Sequence, residues 1–144
     1  MSFEFVRKKG NTFYTLDGQE VGKVEADLKM GFPTELKQFY NEVGYGFFSG
    51  SEYNINRLMD PESVRDFRKR AGDFEVYPDI EIYDEYEDGK LIFFEANESA
   101  LISIGIHETQ ENPIFYYDIK IANSLKEFLE KIMKDDNYYI DLPN

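Results

Sequence analysis

Three apolar runs, Leu91 to Phe94, Leu101 to Ile106 and Ile114 to Tyr117, follow one another with only short polar stretches between them. Such connections are too short for the crossover that a parallel pair requires, so these runs predict an antiparallel meander. Asp88-Gly89 supplies a hairpin turn signal leading into it. Any fold for this chain has to be built around that sheet.

The flanking segments carry a helical period instead. Val21, Val24 and Leu28 recur at i, i+3 and i+7, which predicts a helix over 20–30 ending at Gly31. Pro33 suits a first turn, Leu36, Phe39, Tyr40 and Val43 share one stripe, and Gly44 closes a second helix over 33–43. These two helices are expected to form a hairpin. Phe47 and Phe48 open a strand, with Tyr53 to Leu58 as its antiparallel neighbour. Asp60 and Pro61 start a helix over 61–70 with Val64, Phe67 and Ala71 inward and Arg65, Arg68, Lys69 and Arg70 outward. Ser124 and Glu127 have capping-box spacing ahead of Leu125, Phe128, Leu129, Ile132 and Met133, predicting a helix over 124–134. Phe3, Phe5 and Phe13 to Leu16, broken by Lys8-Lys9-Gly10-Asn11, suggest that residues 1–19 are a short β-ribbon or an extension. The expectation is a single α+β domain over 1–144. It has an antiparallel-rich sheet of about five or six strands, with helices packed on one face. Leu28, Leu36, Phe39, Val43, Phe67, Phe93, Ile104, Phe128, Leu129 and Ile132 are its expected core.

The chain has no cysteine and a single histidine, His107. Thiol nucleophiles, thiolate metal sites and two-histidine metal sites are thereby excluded. His107 beside Glu108 is one conceivable base with its orienting carboxylate, against the simpler reading of a solvated loop histidine. Asn97-Glu98-Ser99 is a glycosylation sequon by spacing alone. The amino terminus carries charges where a secretory signal has apolar residues, and no run approaches a membrane span. The protein is therefore expected to be cytoplasmic, without a membrane partner.

Charge is the sharpest local feature. Residues 1–72 hold 11 acidic and 11 basic residues, so the whole net charge of −13 falls on residues 73–144. Phosphates would be repelled, which argues against direct nucleic-acid binding. Asp79, Glu81, Asp84, Glu85, Glu87 and Asp88 fall within ten residues with no cation among them, interleaved with Ile80, Ile82, Tyr83 and Tyr86. Asp84 to Glu95 partly matches a calcium loop, but Tyr86 stands where an oxygen ligand belongs and a strand follows Gly89. The run is either a solvated face or a docking surface for a basic partner, with Tyr83 and Tyr86 as exposed apolar anchors.

The segment Val21 to Gly46 resembles the opening of the SUKH superfamily, the domains similar to the yeast Smi and Knr cell-wall regulators. That opening is a helix bearing a glutamate, a Leu-Pro starting a second helix, an aromatic-aliphatic pair and a glycine-rich end. Glu25, Phe32-Pro33, Phe39-Tyr40 and Gly44-Tyr45-Gly46 take those places, with Phe32 for the usual leucine and Tyr45 between the glycines as departures. Leu91 to Phe94, Ile102 to Ile106, Pro113 to Asp118 and Ser124 to Ile132 follow in the family's order, so the likeness covers about 20–133. The resemblance implies a bacterial immunity protein that neutralises a polymorphic toxin, often a nuclease, by binding without catalysis and without cofactor or metal. Under it, the partner is a basic toxin domain encoded nearby. Asp79, Glu81, Tyr83, Asp84, Glu85, Tyr86, Glu87 and Asp88 form the expected contact surface, and Tyr45 and Phe47 at the glycine-rich turn are the alternative. A regulatory adaptor, or a carboxylate hydrolase using Glu25 or Glu108, stands as the competing class.

Overall fold

A computed structural model describes residues 3–50, 56–76, 79–96, 100–106 and 111–140. Seven strands, β1 Thr12–Tyr14, β2 Tyr45–Phe48, β3 Asn56–Leu58, β4 Lys90–Ala96, β5 Ala100–Gly105, β6 Ile114–Tyr116 and β7 Ile119–Ala122, pair antiparallel in sequence order. The expected meander therefore extends through the whole sheet. Helices α1 Glu20–Leu28 and α2 Thr34–Glu42 lie between β1 and β2, α3 Pro61–Lys69 between β3 and β4, and α4 Leu125–Lys134 after β7. All four lie within two residues of their expected limits at each end.

The count of seven exceeds the expected five or six chiefly because of β7. It returns along β6 after the two-residue turn Tyr117-Asp118, where Tyr117 takes φ 56°, a conformation usually left to glycine. The N-terminal ribbon is not formed. Glu4–Val6 is a single 3-10 turn, and β1 pairs with β2 instead, Tyr14 opposite Tyr45. That pairing dictates two glycines. Gly44 and Gly46 adopt φ +110° and +151°, and a Cβ on them would lie 1.9 Å from the Tyr14 carbonyl oxygen and 2.1 Å from that of Thr12. The glycine-rich turn is thus required by the close approach of β1.

Residues alternate inward and outward along β1 to β3, whereas β5 is buried at every position, so the centre of the sheet is covered on both faces. On the inward face Phe13, Phe48 and Phe94 meet Phe39 of α2 and Phe128 of α4, with Phe94 and Phe128 in a T-shaped contact at 5.1 Å. Nine of the ten expected core residues are buried. Leu28 is the exception, half-buried at the end of α1. The expected helix hairpin does not close either. Helix α1 packs chiefly on α3, with Arg65 reaching Asp27 at 3.0 Å, and a groove separates it from α2.

Helix termini follow their sequence signals in one case and depart in another. The Ser124 hydroxyl accepts the Glu127 amide at 3.0 Å, as the capping box requires. Asp60 occupies the N-cap position of α3, but its carboxylate accepts the Ser63 hydroxyl and makes no bond to a helix amide. In α4, Lys131 holds Glu127 at 3.0 Å and keeps its carboxyl below the usual range, against a smaller opposing effect of burial. A carboxyl whose pKa is lowered by folding contributes stability that is present above the unfolded value and lost as pH falls through the folded one. Glu127→Gln is therefore expected to lower stability by about 0.5–1 kcal/mol at pH 7, the scale of an i,i+4 pair plus a first-turn charge. The difference from wild type should vanish in acid. Denaturant midpoints at neutral pH and below the carboxylate range check this, and a gap that persists in acid contradicts it.

Candidate functional site

The acidic segment is folded as successive 3-10 turns, Ile80–Tyr83 and Glu85–Glu87, between α3 and β4. Residues three apart eclipse in a 3-10 turn, which puts Ile80, Tyr83 and Tyr86 on one side. That side faces the protein. Tyr83 is only 4% exposed, stacked on Tyr117 at 5.9 Å and set against Phe67, so the expectation of an exposed anchor there is corrected. Tyr86 is half-buried, its ring edge-on to Tyr117 at 5.2 Å. The two tyrosines fasten the segment down, and the apolar side chain it turns outward is Ile82, 47% exposed.

The carboxylates divide into two sets. Arg70, at the end of α3 with φ 55°, holds Asp84 at 2.6 Å and Glu87 at 3.1 Å. Burial pushes the Glu87 carboxyl above its ordinary range against the pull of that guanidinium. Arg68 donates to the carbonyls of Glu87 and Lys90, fixing the end of the segment on β4. Asp79, Glu81, Glu85 and Asp88 are exposed, so four of the six expected contact carboxylates face outward without being drawn into the Arg70 pair. Asp84 on Arg70 and Glu95 on Arg57, the first and twelfth positions of the calcium-loop match, are held by different arginines.

Tyr45 and Phe47 lie on the outward face of β2. Phe47 is 40% exposed, and the Tyr45 ring lies 5.5 Å from that of Tyr14, itself 48% exposed. Beside them Arg57 pairs with Glu95 at 3.3 Å across the sheet. Tyr14 completes this aromatic patch through a pairing between residues some thirty positions apart, which no local pattern announces.

Of the two carboxylates expected for a hydrolase, Glu25 has structural partners. Glu25 accepts the Phe32 amide at 2.7 Å and meets Lys37 at 3.5 Å, joining α1 to α2. Glu42 accepts the Phe3 amide and the Gln38 carboxamide. His107, Glu108 and the sequon Asn97-Glu98-Ser99 lie outside the described residues, as do Tyr53 to Ile55 of the expected second strand. No described helix is long and apolar enough to cross a membrane.

Residues 19–129 match the family model described as SMI1-KNR4 cell-wall, a stretch running from the start of α1 into α4. Over 143 residues the chain is 58% identical to the protein named immunity protein YxxD of Bacillus subtilis strain 168, covering 99% of this chain and 97% of that one. The α1 and α2 pair, the glycine-rich turn, the antiparallel meander and the capped last helix therefore have one explanation: the chain belongs to the SMI1-KNR4, or SUKH, family.

Proposed function

We propose that this protein is an immunity protein that neutralises a cognate toxin by stoichiometric binding, without turnover. The observation that carries the reading is the 58% identity, over nearly the full length of both chains, to immunity protein YxxD. The partner we propose is a basic toxin domain encoded beside this gene, a nuclease in particular. A nuclease cleft collects Lys and Arg to hold phosphates, and a row of carboxylates competes for the same groups. The net charge of −13 on this chain supports that pairing. Asp79, Glu81, Glu85 and Asp88, with Ile82 between them, form the charged part of the contact in this reading. Tyr45 and Phe47, with Tyr14, offer an aromatic part of the kind that dominates binding energy at interfaces.

Exposed charge acts mainly on the encounter, steering association by 10–10³-fold and weakening as salt shortens the screening length to about 8 Å. Reversing Asp79, Glu81, Glu85 and Asp88 together to lysine is expected to slow association with the toxin domain by about 10–100-fold at low salt and to flatten its salt dependence. Stopped-flow association at several ionic strengths measures both. An unchanged rate with unchanged salt dependence would reduce the segment to a solvated face.

A further inference from the structure

The groove between α1 and α2 has a volume of about 640 Å³ and is open to solvent. Gly18, Val21 and Gly22 line one side, Lys37, Gln38 and Asn41 the other. Gly22 lies inside α1, where glycine costs roughly 1 kcal/mol relative to alanine. The fold gives no return for that cost. A Cβ added at Gly22 or at Gly18 meets nothing within 4 Å, in contrast to Gly44 and Gly46, where it would strike backbone. What the two unneeded glycines share is the groove, which a side chain at either would narrow.

The lining states what the space suits. Asp17, Glu25 and Glu42 outnumber one cation, Lys37, which already meets Glu25 at 3.5 Å, so the lining is net negative, with the carboxamides of Gln38 and Asn41 and the apolar Leu16 and Val21 beside them. A net negative groove lined in part by hydrocarbon accepts Lys or Arg side chains, whose stems lie on hydrocarbon while the charged heads meet carboxylate and amide oxygens. Its volume is on the scale of a drug-sized ligand, that is, a few residues of peptide. Thr15 and Val43 also line it, next in the chain to Tyr14 and Gly44.

We propose that this groove receives a basic segment of the toxin and that Gly18 and Gly22 leave room for it. The inference rests on the reading of the chain as an immunity protein and assigns a second contact to it. The test uses the purified toxin domain encoded beside this gene, with binding followed by calorimetry and folding by thermal denaturation. Affinity is expected to fall with side-chain size, least for Gly22→Ala and by about 30-fold for Gly22→Phe, the scale of one hot-spot contact. Both variants should melt at or above the wild-type midpoint, because each replaces a helical glycine. Asn41→Arg, a cation on the opposite and exposed wall, should weaken binding to a similar extent without touching α1. Wild-type affinity in Gly22→Phe and Asn41→Arg overturns the groove assignment while leaving the immunity reading standing. A wild-type protein that neither binds nor inhibits the toxin domain overturns both.

Discussion

Phe39→Ala is expected to destabilise the fold by about 3–5 kcal/mol, the range for removing a buried phenylalanine from a filled core. Phe39 is fully buried in α2, and its ring stands 5.3 Å from Phe3, 6.1 Å from Phe13 and 6.5 Å from Phe48. It therefore joins the N-terminal turn, β1 and β2 to one helix. Those partners belong to three different elements and cannot all move into the space left behind, so the loss includes a cavity as well as transferred area. Alanine's better helix propensity returns only about 0.5 kcal/mol. Against a typical stability of about 5–15 kcal/mol, the loss is a large fraction of the whole. Urea denaturation measures it, and a change below about 1 kcal/mol would contradict the packing described for this face.

The second large effect is expected at Glu35, which looks in the sequence like an ordinary first-turn glutamate and is 2% exposed in the structure. Its Oε1 accepts the Asn112 amide at 2.7 Å and the Leu125 amide at 3.1 Å, while its own amide donates to Asn112 Oδ1. Leu125 opens α4, so the carboxylate also meets the positive end of that helix. One side chain thus holds the start of α2, the approach to β6 and the start of α4 together. Glu35→Ala leaves two buried amides without their acceptor at about 1–3 kcal/mol each, a loss of roughly 2–6 kcal/mol. Glu35→Gln keeps the acceptor oxygen and should lose less. The order is checked by denaturation of both variants, and an alanine variant as stable as wild type would contradict the bridging role.

Where local chemistry sets the structure, the sequence was legible. Pro33, Pro61 and the Ser124 to Glu127 box mark helix starts because their dihedral and hydrogen-bonding constraints act within a few residues. The central strands declare themselves by apolar runs. The other features depend on distant partners. Strand β7 stayed hidden because its turn uses Tyr117 at φ 56° in place of an Asn-Gly signal. The α1 and α2 stripes fit a hairpin equally well, and the choice for α3 includes the Arg65 to Asp27 contact, 38 residues apart. In the acidic segment the charge was visible and its partial neutralisation was not, since Arg70 belongs to α3. The outward-facing expectation for Tyr83 and Tyr86 fails because the 3-10 period of three puts Ile80, Tyr83 and Tyr86 together on the side turned to the protein. The glycine-rich turn is legible as a motif, but the structure makes Gly44 and Gly46 a consequence of β1 lying against β2, leaving Tyr45 and Phe47 as the part that faces outward.

Stoichiometry tests the central claim most directly. The toxin domain proposed as the partner, held at a concentration well above its dissociation constant, is titrated with this protein while its activity is followed. Binding without turnover is expected to give a linear fall in activity that ends at one equivalent. Complete loss of activity far below one equivalent would show that the protein chemically destroys the toxin or something the toxin needs, and full activity in the presence of excess protein would show that it does not neutralise this toxin at all.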